Sequence, residues 1–139
     1  ALAPLMNHSD VDVKRTAAEA LDRIGRGAKK VLPQLITVVK STTQDRLVRC
    51  SAIHTLSLIV PDLDVDKQKT ETILALQIAL KDAIADVRLA AIQALGSLNK
   101  SVLGDQFDQV LAKLGIETKA IQPAIRNAAK TAIERLTKE

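Results

Sequence analysis

Apolar and small residues recur along the chain at one fixed spacing, four times over. Counting from Val13, they fall at positions 0, +4, +7, +8 and +11, as Val13, Ala17, Ala20, Leu21 and Ile24. The register returns as Val48, Ala52, Thr55, Leu56 and Ile59, then as Val87, Ala91, Ala94, Leu95 and Leu98. The last copy is Ile125, Ala129, Ala132, Ile133 and Leu136. At about 100° per residue these positions form one stripe, from about −20° to 80°, which predicts four amphipathic helices. The copies begin 35, 39 and 38 residues apart. Self-similarity at that period predicts a stacked repeat protein. Ala at +4 in every copy predicts a close helix contact, where a larger side chain would overpack the seam by roughly 1–3 kcal/mol.

A second apolar run precedes each copy. Residues 28–40 carry Val31, Leu32, Leu35, Ile36 and Val39, and residues 68–81 carry Ile73, Leu74, Leu76, Ile78 and Leu80. Residues 105–114 carry Phe107, Val110, Leu111 and Leu114, while 1–7 resemble the last turns of a truncated partner helix. Each unit is therefore predicted as a helical hairpin: one partial over 1–25, then 28–60, 66–99 and 104–137, within a single domain 1–139. Gly25, Gly27 and Gly115 stand where C-caps favour glycine, and Ser9, Thr43 and Thr118 where N-caps are expected. Pro123 suits a first helical turn, and Pro33 predicts a kink or a helix starting close by. Residues 60–66 predict an acidic loop or short turn, and no segment predicts a strand.

Composition narrows the function classes. Apolar residues make up 47% of 139, which excludes a disordered chain, and aromatics only 1%. A core of Ala, Leu, Ile and Val suits close-packed helices better than a β-sandwich. A net charge of +4 is an ordinary solubility charge. Cys50 is the only cysteine, so no intrachain disulfide forms. With no signal-peptide pattern, this points to an intracellular, cytoplasmic setting. No apolar run reaches the roughly 18–20 residues that span a bilayer, so membrane insertion is not expected. The start, Ala1-Leu2-Ala3-Pro4, lacks an initiator Met and suits a slice of a longer array or a processed chain.

Val-Arg-x-x-Ala-x-x-Ala-Leu, with another aliphatic three residues on, resembles the second helix of HEAT repeats. Asp82 and Asp86 before Val87-Arg88, Pro123 before Ile125-Arg126, and Gly96 after Leu95 match the turns and the Leu-Gly pair of that family. Tetratricopeptide units keep a 34-residue period with Trp and Tyr, both missing here. Armadillo units add a third helix, for which these spacings leave little room. The resemblance implies an all-α, right-handed α-α superhelix of about 3.5 HEAT-like hairpins. Lys130 replaces the Ile53 and Ile92 of earlier copies, which suits a terminal, capping repeat. The basic residue at +1 recurs as Lys14, Arg49, Arg88 and Arg126. The resemblance implies that this ladder pairs with turn carboxylates, with Asp12, Asp45 and Asp86 as candidates.

The resemblance also puts positions +2, +6 and +9 of the repeated helices on the concave side. The middle copies offer Cys50, His54 and Ser57, then Leu89, Gln93 and Gly96. Charge appears only at the ends, as Arg15, Glu19, Asp22 and Glu134. A nucleic-acid groove needs a continuous basic lining, whereas a neutral centre with a charged rim fits a protein partner. Partner-binding residues are therefore expected at Cys50, His54, Ser57, Leu89 and Gln93. An alternative places nucleic acid or another anionic surface on the basic turn of Arg23, Arg26, Lys29 and Lys30, although no aromatic or amide readout residues accompany it.

Catalytic and metal chemistry find little support. Asp62, Asp64 and Asp66 open like a calcium loop, but Lys67 replaces the needed Gly and Ile73 the closing Glu. His8 and His54 lack zinc-type companions. Cys50 and His54 share a helix face, yet nothing orients the His or supplies an oxyanion hole. No catalytic residue, metal or cofactor is expected. A non-catalytic protein-binding scaffold ranks first, and a subunit resembling the HEAT-like part of phycobilin lyases last. Ala91→Glu should place a carboxylate in the central seam and cost on the order of several kcal/mol, read as a lowered melting temperature. A melt within a degree or two of wild type would remove Ala91 from the seam.

Overall fold

The computed structural model of the protein describes residue 20 and residues 31–120 and 122–138. Among them the helices run α1 (Leu32–Lys40), α2 (Arg46–Ile59), α3 (Asp66–Ala79), α4 (Ala85–Ser97), α5 (Lys100–Leu103), α6 (Phe107–Glu117) and α7 (Pro123–Thr137). Short 3-10 turns occupy Val60–Asp62 and Gly104–Gln106, and no strand occurs among the described residues. α1 packs on α2, α3 on α4 and α6 on α7, giving three described hairpins. The repeated helices α2, α4 and α7 stack in one row, and α1 and α3 stack in the other. The result is an α-solenoid of helical hairpins. The first copy of the repeated line lies outside the described residues except Ala20, which is helical.

The stripe predicted from spacing is the core. In the three described copies every stripe position is buried except Ile133, which is half-buried. Leu35, Ile53, Leu56, Ile59, Leu76, Ile92 and Leu95 are fully enclosed, each stabilising the fold by roughly 1.5–3 kcal/mol. α4 and α7 approach closely at Gly96. A Cβ placed there would lie 2.6 Å from the Cβ of Ala132 and 2.9 Å from its Cα. The Gly after Leu95 is thus a contact requirement between two repeats.

Element ends depart from the sequence expectations in several places. α1 starts at Leu32, with Pro33 in its first turn. Thr43 does not cap α2, because its hydroxyl pairs with that of Ser41 at 3.0 Å. Asp45 caps the helix instead, accepting from Leu47 N–H at 2.9 Å. α3 begins two residues earlier than predicted, with the acid of Asp66 in its positive first turn. Leu74 and Ile78 face outward there, because a helix apolar on several sides gives no clear period. α6 runs on to Glu117, so Gly115 lies inside it. Thr118 ends this helix rather than starting the next, its hydroxyl donating to the Gly115 carbonyl at 2.6 Å. The four-residue helix α5 was not expected. Asn99 caps it, accepting from Val102 N–H at 2.8 Å, and Gly104 at φ 54° reverses the chain after it. A short third helix therefore stands between the units 66–99 and 104–137, where the spacing left little room for one.

Arginines at +1 tie successive repeats together through the inter-helix turns. Arg49, 2% exposed, donates from Nη2 to the Val39 carbonyl at 3.2 Å and to Asp82 Oδ2. Its Nε has no acceptor among the described residues, so these two groups compensate its burial. The other oxygen of Asp82 accepts from Ile84 N–H at 2.9 Å, and its carbonyl accepts from Arg88 Nη1 at 2.8 Å. Arg88 Nη2 reaches forward to Gln122 Oε1 at 3.1 Å, and Arg126 Nη1 donates to the Ala120 carbonyl at 3.1 Å. The buried carboxylate is thus Asp82. Asp45 is used as a cap, and Asp86 pairs with Arg46 at 2.8 Å on the surface, where such pairs contribute about 0–1 kcal/mol. Asp12 and Lys14 lie outside the described residues.

The other row is joined differently. Gln77 on α3 is 1% exposed. Its Nε2 donates to Gln106 Oε1 at 2.7 Å, and its Oε1 accepts from Lys113 Nζ on α6 at 2.8 Å. Gln106 Nε2 continues to the Thr70 carbonyl at 3.4 Å. Both ends of the buried amide are satisfied, which removes the usual penalty for hiding it.

Two outcomes test this account. Gly96→Ala gains up to about 1 kcal/mol of helix propensity but overpacks the seam by roughly 1–3 kcal/mol, so it should lower stability in urea unfolding. Adding Ala132→Gly should return most of the loss; a single variant as stable as wild type would contradict the close contact. Burial pushes the Asp82 carboxyl up, but the Arg49 hydrogen bond, the Ile84 N–H and the charges of Arg49 and Arg88 outweigh it and hold the carboxyl below its ordinary value. A carboxyl depressed in the folded state contributes stability above its ordinary value near about 4, and loses it as pH falls through the lower folded value. Asp82→Asn should cost on the order of 3 kcal/mol at pH 7. Its melting temperature should converge on that of wild type as acid takes the pH below about 4; parallel curves would contradict the assignment.

Candidate functional site

The face of the repeated helices that turns away from α1, α3 and α6 carries a groove in two stretches. The first, about 470 Å³, lies between α2 and α4. α2 supplies Cys50, Ser51, His54, Ser57 and Leu58, and α4 supplies Ala90, Gln93, Ala94 and Ser97. The second, about 350 Å³, lies between α4 and α7. Gln93 and Gly96 form one wall, and Asn127, Ala128, Thr131, Ala132 and Arg135 form the other. Gln93 lines both stretches, which lie side by side across three repeats.

Local sequence explains the shape. Small residues at the bottom of each stretch let the helices close up, so the floor is shallow and the walls are short polar side chains. Ser57 Oγ donates back to the His54 carbonyl at 2.6 Å, and Ser97 Oγ to the Ala94 carbonyl at 2.7 Å. Such i−3 bonds leave each hydroxyl oxygen with acceptor capacity. Cys50 Sγ donates to the Asp86 carbonyl of the next repeat at 3.5 Å. Burial, with the nearby Asp86 carboxylate, pushes the Cys50 thiol up against the opposing charges of Arg49 and Arg46. Cys50 thus links two successive repeats through this contact.

Of the residues expected on this face, Cys50, His54, Ser57 and Gln93 come together in the first stretch. Leu89 does not join them, because it is half-buried and packs on the core. Position +9 is not solvent-facing in the second and third copies either: Ser57 is 7% exposed and Gly96 is covered by Ala132, since the following repeat sits on that side. Arg23, Arg26, Lys29 and Lys30 lie outside the described residues. Asn127 and Thr131 were overlooked although they occupy +2 and +6 of the fourth copy, the register that placed Cys50 and His54. Arg135 stands one turn beyond Thr131 and is the charged residue of the lining, whereas Glu134 is exposed outside it. Among the described residues no three His, Cys, Asp or Glu gather as metal ligands, and no helix is long and apolar enough to cross a membrane. The lining combines a larger apolar surface with a few hydrogen-bonding side chains and the guanidinium of Arg135.

Comparison with known proteins agrees with this architecture. An engineered protein is 22% identical with a TM-score of 0.75, the match covering 99% of this chain and 63% of that one. A computationally designed armadillo repeat protein for modular peptide recognition is 18% identical with a TM-score of 0.74, covering 98% of this chain and 63% of that one. A second engineered protein, 20% identical with a TM-score of 0.70, is covered over 61% of its length. The chain therefore spans somewhat under two thirds of these solved structures, and at such identities the likeness is one of fold. A search of the curated proteins finds no match. The family model described as HEAT repeats matches residues 1–96, more than half of the chain. With the repeated line, the stacked hairpins and this match together, the chain belongs to the HEAT-repeat family.

Proposed function

We propose that the chain is a non-catalytic interaction scaffold that binds a protein partner along the groove of α2, α4 and α7. The carrying observation is the groove itself: largely apolar with a few hydrogen-bonding side chains, nearly uncharged, and present as two adjoining stretches across three repeats. A fold of this kind commonly serves as a protein-interaction scaffold, and one structural relative is designed for modular peptide recognition. The arginines of the ladder do not enrich the groove in positive charge, because Arg49 and Arg88 are engaged with turn carbonyls and Asp82. Nucleic acid along this face would need phosphate-binding cations at regular intervals, and the lining offers Arg135 alone.

The test is a pull-down from native cell extract at two salt concentrations, with His54→Glu and Gln93→Glu as controls. Both residues are exposed, so both variants should melt close to wild type. A protein retained at high salt by wild type and lost by both variants is the expected outcome. Retention unchanged in both variants would move the binding face elsewhere, and nucleic acid recovered only at low salt would replace the proposal.

A further inference from the structure

Resting on that proposal, the geometry points to an occupant of specific chemistry: an extended peptide segment of the partner with a carboxylate side chain seated at Arg135. Three observations converge. Asn127, Thr131 and Arg135 succeed one another at intervals of four residues, so they form one column along α7. Gln93 faces this column from α4, over a floor where Gly96 and Ala132 touch. The two amides each present donors and an acceptor, the pattern that pairs with a peptide backbone in extended conformation. At the end of the column stands a guanidinium with no ion pair among the described residues, whose planar fork matches a carboxylate.

Size and charge restrict the peptide further. Neighbouring helices pack about 8–10 Å apart, so the two stretches together span on the order of 20 Å. An extended chain covers that distance with about six residues. The α2–α4 stretch has no charged lining residue and a floor of Ala90 and Ala94, which suits small or uncharged side chains there. No carboxylate lines either stretch, so a basic side chain finds no counterpart there. The acidic residue therefore belongs at the α7 end, with small residues leading from it towards α2.

A phage-displayed random dodecapeptide library panned on the 139-residue chain tests this directly. The enriched sequences should share an Asp or Glu next to a run of small residues. A fluorescein-labelled enriched peptide, followed by anisotropy, should bind about two- to fivefold more weakly to Arg135→Gln. The same peptide with its acid changed to the amide should bind wild type equally weakly, and combining the two changes should add little, as for two partners of one contact. Arg135 is exposed, and a thermal melt of Arg135→Gln superimposable on wild type keeps the comparison free of folding effects. Enriched peptides that lack a shared acid, or that ignore Arg135→Gln yet are lost with Gln93→Glu, would overturn the acidic subsite and leave the groove as the binding face. Enriched peptides indifferent to both substitutions, or no enrichment at all, would overturn the subsite together with the proposal it rests on.

Discussion

The contact of Gly96 with Ala132 sets how closely two repeats can stand, and much else is adjusted to that distance. Around this contact the buried positions of α4 and α7 include the small residues Ala91, Ala94, Ala129 and Ala132. The groove above the contact owes its shallow floor to the same economy of side-chain volume. Small residues at +4 and +7 let successive repeated helices stand close, where larger side chains would overpack the seam.

Asp82 organises the turn that joins α3 to α4. Its two carboxylate oxygens and its own carbonyl receive three donors from three parts of the chain. Arg49 arrives from the preceding repeat and Arg88 from the following helix, and Arg88 in turn reaches the next turn at Gln122. Hydrophobic stacking alone would tolerate a slide of one repeat along another. Directional bonds from fixed guanidinium forks do not, so this relay sets the register that apolar packing leaves loose.

Much of this architecture was legible in the sequence, because the determining signal is periodic and repeated. Five core positions per helix, read in four copies, leave little freedom for the period or the buried face. What was missed is what periodicity does not encode. Leu89 has the spacing of an outward position but the volume to fold back on the core. Asp82, Asp45 and Asp86 are equivalent as turn acids in one dimension, and only the path of the chain decides that Asp82 meets Arg49. The helix ends at Asp45 and Thr118 depended on which hydroxyl or carboxylate reached a free N–H or carbonyl first. Arg135 escaped notice because it belongs to the fourth copy's last turn, where the repeat pattern no longer constrains a residue.

The bridge of Gln77, Gln106 and Lys113 has a mechanical consequence. On the groove side the repeats are locked by hard contact between Gly96 and Ala132, which resists compression steeply. On the opposite side α3 and α6 are linked through long side chains whose hydrogen bonds can lengthen by tenths of an ångström or exchange with water at little cost. A solenoid built this way bends as a strip with one stiff edge and one compliant edge. Its curvature would therefore change more readily on the side of Gln77 and Lys113 than at the seam of Gly96 and Ala132.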